Sequence, residues 1–364
     1  MISFFSLGTR VAAGSRSHVL YARLLKDEEM WRILMCDDVH EIVDQLAKIP
    51  GYSDAVKFIR AEEINRVQLE TRLKLIPLQQ TKSFLRLMRG KYRYFLLSWI
   101  GRYEASALKR ILRYILTKHG NRENIRKWLL SLGDTTIPFE LLISSRDFTD
   151  AFEALKGTIY EKPLKEPLKR LASGEENLFY AETAIDIMTV MNLFKAAKAL
   201  PASNRYKVLR IIGLYIDLLN VMWIYRGIRY YDMTPEQRLA RLLPCHYKFS
   251  RSVLRSLARA VDINEFRDLL RSTVYGSLFE ESALESEITF ERDCRRAVRK
   301  AAHQVFRAGK PDFSSVIAYL TLLEYEINDL CTIIEDVRYD YDRRQAALYL
   351  VRPLIPEGEI RWPL

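Results

Sequence analysis

Three features recur in the same order along this 364-residue chain, and internal repetition on that scale constrains a fold more than any single motif. The first is a short amphipathic segment ending in tyrosine. It reads VHEIVDQLAKIPGY (39–52), FTDAFEALKGTIY (148–160) and INEFRDLLRSTVY (263–275). The second is a four-residue step closing on an acid: VQLE (67–70), TAID (183–186) and ITFE (288–291). Glu182 and Glu287 precede the later two steps, where the first copy has Arg66. The third is a helix opening with an acid: YEASALKRIL from Tyr103, IDLLNVMWIY from Ile216 and YEINDLCTII from Tyr325. Glu104, Asp217 and Glu326 align there, and the apolar positions after them fall three and four apart, which is one helical face. Tyr52, Tyr160 and Tyr275 are 108 and 115 residues apart, and the three late acids 113 and 109. The acids closing the second feature, Glu70, Asp186 and Glu291, are 116 and 105 apart.

A shared period of about 110 residues predicts three diverged copies of one unit. Each unit is expected to hold a short helix, a long helix and a closing helix. Glycine (14) and proline (12) are scarce and no stretch alternates like a strand, so the fold class is all-α. Turn-prone residues at 133–138 and the stretch 231–250 divide the chain into 1–133, 134–243 and 244–364. Thr234-Pro-Glu-Gln237 reads as an N-cap, a proline at the first helical position and a capping-box glutamine. Pro353, Pro356 and Pro363 mark a non-helical tail.

Several classes of protein fit poorly. Cys36, Cys245, Cys294 and Cys331 lie far apart, which is neither a disulfide framework nor a zinc ligand set and suits a reducing compartment. The apolar patch at 1–7 lacks a preceding basic region, so no signal peptide is expected. The most hydrophobic stretch, 211–225, contains Asp217 and Asn220 and reads as a buried core helix rather than a membrane span. No P-loop, GxGxxG, GxSxG or HExxH is present, and the five histidines are scattered. The expectation is therefore no catalytic site, no cofactor and no metal.

Two constellations remain. Asp217 and Asn220 sit in the most apolar helix, either as a burial-tuned proton carrier or as ties to a neighbouring loop. Glu104 and Glu326 stand where Asp217 does, so the acid belongs to the unit's architecture, as do Tyr52, Tyr160 and Tyr275. The second constellation is basic. Most of the net charge of +11 resides in residues 1–120, which hold 21 basic and 12 acidic side chains. From Lys82 to Arg113 there are nine basic residues against Glu104 alone. Arg86, Arg89, Lys91, Arg93, Arg110 and Arg113 are the candidate contacts, with aromatics interleaved. Three readings stay open: an acidic protein partner, a solvated face, or RNA held by arginines on phosphates and rings on bases.

The repeat motifs carry a resemblance. IDLLNVMWIYRG (216–227), YLTLLEYEINDLCTIIEDVRYDYDRRQAALYL (319–350) and YARLLKDEEMWRILMCDDVHEIVDQLAKIPGY (21–52) resemble the C-type central-stalk component of V-type ATPases, called d in eukaryotes; LLPCHYKFS (242–250) is similar to that family's link before its third unit. The resemblance implies three helical domains around a pseudo-threefold axis, forming a funnel. It implies a non-catalytic central-stalk subunit, cytoplasmic and peripheral on the membrane, whose partners are the proteolipid rotor ring and the central shaft. A basic helical repeat protein binding RNA is the alternative, and an enzyme built from dispersed acids such as Glu104, Asp217 and Glu326 is a third reading.

Overall fold

A computed structural model describes residues 4–57, 66–118, 125–126, 129, 132–133, 135–175, 177–279, 284, 286–339 and 341–354. Pro356 and Pro363 of the expected tail lie outside them. Among the described residues the structure is helical, with no strand. The N-terminal helices are α1 (Phe4–Tyr21), α2 (Asp27–Leu34), α3 (Val39–Ala47), α4 (Ser53–Val56) and α5 (Arg66–Leu85). Then come α6 (Gly90–Thr117), α7 (Phe139–Ser144), α8 (Phe148–Ala154), α9 (Glu161–Ala172) and α10 (Leu178–Ala199). The rest are α11 (Ala202–Arg229), α12 (Pro235–Ala240), α13 (Arg251–Arg259), α14 (Ile263–Arg271), α15 (Glu287–Arg307), α16 (Phe313–Arg338) and α17 (Arg343–Tyr349).

The first repeated feature has a local cause beyond its apolar opening. Asp38, Asp147 and Asp262 stand immediately before α3, α8 and α14 in extended backbone conformation, and each caps its helix. Asp147 Oδ1 accepts from the N–H groups of Thr149 and Asp150 at 2.9 Å, and Asp262 Oδ1 from Asn264 at 2.8 Å and Glu265 at 2.9 Å. Such a cap satisfies orphan donors of the first turn and contributes about 1 kcal/mol. Thr234 and Gln237 form the expected capping box at α12, with Pro235 behind the cap.

By internal packing the chain divides into two compact units, Arg89–Leu200 and the remainder, Met1–Met88 with Pro201–Leu364. This is a different partition from the sequence period, because a long helix packs with the short helices that follow it. Within Arg89–Leu200, α6 lies along α10, and α9 packs on both α8 and α10. Trp99, Leu108, Ile111 and Leu112 of α6 are buried with Ile185 and Leu193 of α10.

In the larger unit α16 is the central helix, contacted by α1, α5, α11 and α15. Phe313, Val316, Ile317, Leu320, Leu330, Ile333 and Ile334 are fully enclosed, each contributing about 1.5–3 kcal/mol of burial free energy. By length and mean hydropathy (1.6 over its most apolar window) α11 could cross a membrane, yet that window is 61% buried inside the protein. Its apolar face, Val208, Ile211, Ile212, Ile216 and Val221, packs into the core. Gly213 sits on α11 because the Tyr247 ring lies against it; a Cβ there would stand 2.3 Å from Tyr247 Cγ.

Candidate functional site

Each of the three aligned acids is buried on a long helix and holds the backbone leading into a short one. On α6, Glu104 accepts from Thr136 N–H at 3.3 Å and Thr136 Oγ1 at 3.4 Å, just ahead of α7. On α11, Asp217 accepts from the N–H groups of Tyr247 (2.8 Å), Lys248 (2.7 Å) and Phe249 (3.2 Å), just ahead of α13. On α16, both oxygens of Glu326 accept from Leu25 N–H at 3.1 Å, just ahead of α2. A lead-in segment buried against a helix has N–H groups that must find acceptors, and a carboxylate supplies up to four lone-pair sites.

The repeated tyrosines meet the same acids in two of these places. Tyr275 donates its hydroxyl to Asp217 Oδ2 at 2.8 Å. Tyr52 donates to Glu326 Oε1 from 274 residues away. Tyr160 instead shares a 3.1 Å bond with Thr189 Oγ1. Burial pushes Tyr160 up to about 12, with the Glu104 charge adding to the shift and the Thr189 bond opposing it. Three residues beyond the acids, Asn220 adds a further tie: Oδ1 accepts from Leu243 N–H at 2.8 Å and Nδ2 donates to the Cys245 carbonyl at 3.3 Å. Asp329 occupies the matching place on α16 and accepts from Val351 and Arg352 N–H at 2.7 and 2.9 Å. Ala107, the counterpart on α6, has no polar group to do this.

Electrostatics differ among the three. Burial raises Glu104, against the two Thr136 bonds. Burial also pushes Glu326 up to about 7, opposed first by the nearby Arg352 and then by the Tyr52 bond. Asp329 is pushed up to about 6 by burial against its two N–H partners. A cavity of about 250 Å³ opens beside them, lined by Tyr21, Lys26, Arg299, His303, Glu326 and Arg352 among others. His303 is driven down to about 4 there, by burial and then by Arg299. The arrangement places carboxylates where they hold backbone; among the described residues no group of three His, Cys, Asp or Glu side chains could hold a metal ion.

A second contact recurs on the solvent side of each long helix, nine residues after its acid. Arg113 pairs with Glu182 through Nε–Oε1 at 2.5 Å and Nη2–Oε2 at 2.9 Å. Arg226 pairs with Glu287 at 2.5 Å and Glu291 at 2.9 Å. At the matching position on α16 stands Glu335, and it pairs with Arg66. The odd residue of the second sequence feature is thus half of a reversed ion pair.

The candidate basic contacts do not form one patch. Arg86, Arg89, Lys91 and Arg93 are exposed where α5 ends and α6 begins. Arg110 and Arg113 lie 17 or more positions further along α6, about 25 Å at 1.5 Å per residue. Arg113 is engaged by Glu182, and Lys109 by Asp186 at 2.7 Å. The Arg102 guanidinium lies 3.8 Å from the Trp99 ring centroid. Counting cations along one helix misses the acids that α10 brings to its lower half. The cluster at the start of α6 stays exposed, and cations at a helix N-terminus oppose the helix dipole.

The sequence pattern of the ATP synthase (C/AC39) subunit family matches residues 13–347, a span containing all of these acids, tyrosines and ion pairs. The chain belongs to that family. Among curated relatives it is similar to the C component of the A-type ATP synthase of Archaeoglobus fulgidus, 21% identical over 91% of this chain and 93% of the relative. The protein of the same name from Methanobrevibacter smithii is 20% identical over 85% and 79%. That from Methanosarcina mazei is 23% identical over 74% and 71%. For a C/AC39 family member, the repeated acids and tyrosines mark tie points between helices.

Proposed function

We propose that this C/AC39 family protein is a non-catalytic central-stalk subunit of a rotary ATPase, coupling the rotating shaft to the membrane proteolipid ring for ion transport. The observation that carries the reading is the family match over residues 13–347. On this reading the protein is peripheral, on the cytoplasmic side of the membrane, and reaches the bilayer through the ring. Its three units form a pseudo-threefold, funnel-like arrangement around the shaft. Recurrence of the acid-to-lead-in bond on α6, α11 and α16 supports three like modules. A torque-transmitting part must resist bending, and buried carboxylates that hold backbone N–H groups between helices stiffen the joints.

The exposed cluster of Arg86, Arg89, Lys91 and Arg93 faces an acidic partner within the rotor. Like charges gathered at a helix start repel one another, and a complementary surface offsets that cost and speeds oriented docking. Replacing Arg86, Arg89 and Arg93 together by Glu weakens assembly with ring and shaft by about 1–3 kcal/mol, at roughly 0–1 kcal/mol per exposed pair. The loss shrinks between 0.1 M and 1 M salt as the Debye length falls from about 10 to about 3 Å. Co-purification of the variant with ring and shaft at both salt concentrations measures this, with circular dichroism as the folding control. A folded variant that assembles like wild type at low salt refutes the surface. Loss of RNA affinity with assembly unchanged favours the nucleic-acid reading.

A further inference from the structure

The three ion pairs that follow the buried acids differ in polarity, and the difference is confined to one of them. On α6 and α11 the long helix carries the cation and the facing helix the anion: Arg113 with Glu182, Arg226 with Glu287. On α16 the long helix carries Glu335 and the facing helix α5 carries Arg66. Both members are reversed together, so the pair stays complementary. All three occupy the same register, nine residues after Glu104, Asp217 and Glu326 and at the residue just before the second repeated feature.

We propose that this reversal is a pairing code that directs α5 to α16 and away from α6 and α11. The inference rests on the three-module reading above. Connectivity makes such a code useful. Glu182 follows Arg113 by 69 residues and Glu287 follows Arg226 by 61, so each of those helix pairs closes a loop of moderate length. Arg66 and Glu335 are 269 residues apart. Closing a longer loop costs more chain entropy and is slower, and no nearby link steers it. During synthesis α5 is also complete long before its partner exists, while α6 and α11 emerge first and offer similar faces.

A helix that must pass two similar docking sites needs a repulsive element against them as well as an attraction to its own. Docked on α6 or α11, α5 sets Arg66 against Arg113 or Arg226. Docked in the place of α5 on α16, α10 or α15 sets Glu182 or Glu287 against Glu335. Glu70 relieves the first conflict only in part, because Lys74 at 2.7 Å and Arg66 at 2.5 Å share it. The same reasoning applies between two copies of the chain, where a misdirected α5 produces an exchanged dimer.

Two double variants test the code while keeping each interhelical pair complementary; the first also gives up the Arg66–Glu70 contact, and the second does not touch it. Arg66→Glu with Glu335→Arg keeps a complementary pair but gives it the polarity of the other two. Arg113→Glu with Glu182→Arg does the converse, so that position 113 now attracts Arg66 and position 182 attracts Glu335. Each is unfolded in denaturant and refolded by dilution beside wild type, and monomer yield is read by size-exclusion chromatography and circular dichroism. Arg113→Glu with Glu182→Arg keeps an unfolding midpoint near that of wild type, Arg66→Glu with Glu335→Arg falls somewhat below it through the lost Arg66–Glu70 pair, and both recover less native monomer. The expected loss is roughly two- to fivefold, the factor set by one partly exposed charge pair, with the difference appearing as dimer or aggregate. Wild-type yield from either refolded double overturns the proposal; if Arg66→Glu with Glu335→Arg does not fold, the other double decides alone. Assembly with a rotor is not scored, so failure here leaves the rotary reading standing, and failure of that reading leaves this result intact.

Discussion

Asp217 and Glu326 hold equivalent places on α11 and α16, but their charge is met by different means. Asp217 is surrounded by dipoles: three backbone N–H groups and the Tyr275 hydroxyl converge on its two oxygens. Glu326 receives one N–H, the Tyr52 hydroxyl and a charged neighbour, with Arg352 Nη1 at 3.4 Å. Fixed donors aimed at a carboxylate replace its hydration shell with little reorganisation. A guanidinium at longer range does so less completely, and burial leaves Glu326 at about 7. The contrast teaches that a repeated residue fixes a repeated place, while the donors around it follow from what the neighbouring chain supplies.

The largest expected effect separates these sites by donor count. Asp217→Ala leaves the N–H groups of half-buried Tyr247, exposed Lys248 and buried Phe249, and the buried Tyr275 hydroxyl, without their acceptor. Each orphaned donor costs about 1–3 kcal/mol, partly recovered by water and relaxation, so a loss of about 3–5 kcal/mol is expected. Glu104→Ala removes only the two long Thr136 bonds and is expected to cost about 1–2 kcal/mol. Denaturant unfolding monitored at 222 nm compares the pair, and equal losses would break the donor-count argument.

Legibility in the sequence follows the same division. The period of about 110 residues exposes the acids, the tyrosines and the helical class, because each copy must repeat the residues that define its local geometry. Helical spacing also puts Asp217 and Asn220 on a buried face. Spacing along a chain, however, reports which residues share a face and not what the face meets. Tyr275 finds Asp217 58 residues back, and Tyr52 finds the last acid rather than the first. Arg66 reads as a departure from the repeat because its partner Glu335 belongs to a helix 269 residues on. The Asp38, Asp147 and Asp262 caps are visible as an aspartate before each apolar opener, a signal that the apolar pattern alone passes over.

The next effect depends on pH and belongs to Glu326. Its folded value of about 7 lies above the ordinary carboxylate value of 4.5, so the folded protein binds this proton more tightly than the unfolded chain. The resulting stability is fully present below about pH 4.5 and is lost as pH rises through about 7. Between those limits the difference is at most roughly 3.5 kcal/mol, at about 1.4 kcal/mol per pH unit. Glu326→Gln removes the titrating proton and keeps the shape and one acceptor. Wild type is therefore expected to lose stability relative to Glu326→Gln from pH 5 to pH 8, read from unfolding midpoints at matched ionic strength. A constant gap across that range would sink the assignment.

Arg352 carries the smallest and most diagnostic effect. Its guanidinium reaches Glu326 at 3.4 Å and Asp27 at 2.9 Å, and its own N–H is held by Asp329. It is the strongest influence lowering Glu326, so it acts only on the ionised carboxylate. Arg352→Gln should raise the Glu326 value further and cost about 1 kcal/mol at pH 8, where an ion pair of this partial exposure still acts. At pH 5 Glu326 holds its proton and only the Asp27 contact is lost, so the cost should fall by about half or more. The thermodynamic cycle with Glu326→Gln isolates the coupling: residues in contact are non-additive, and the coupling should be present at pH 8 and absent at pH 5. Coupling of equal size at both pH values would mean that Arg352 packs against Glu326 without stabilising its charge. The two sites would then differ in donors but not in how charge is compensated.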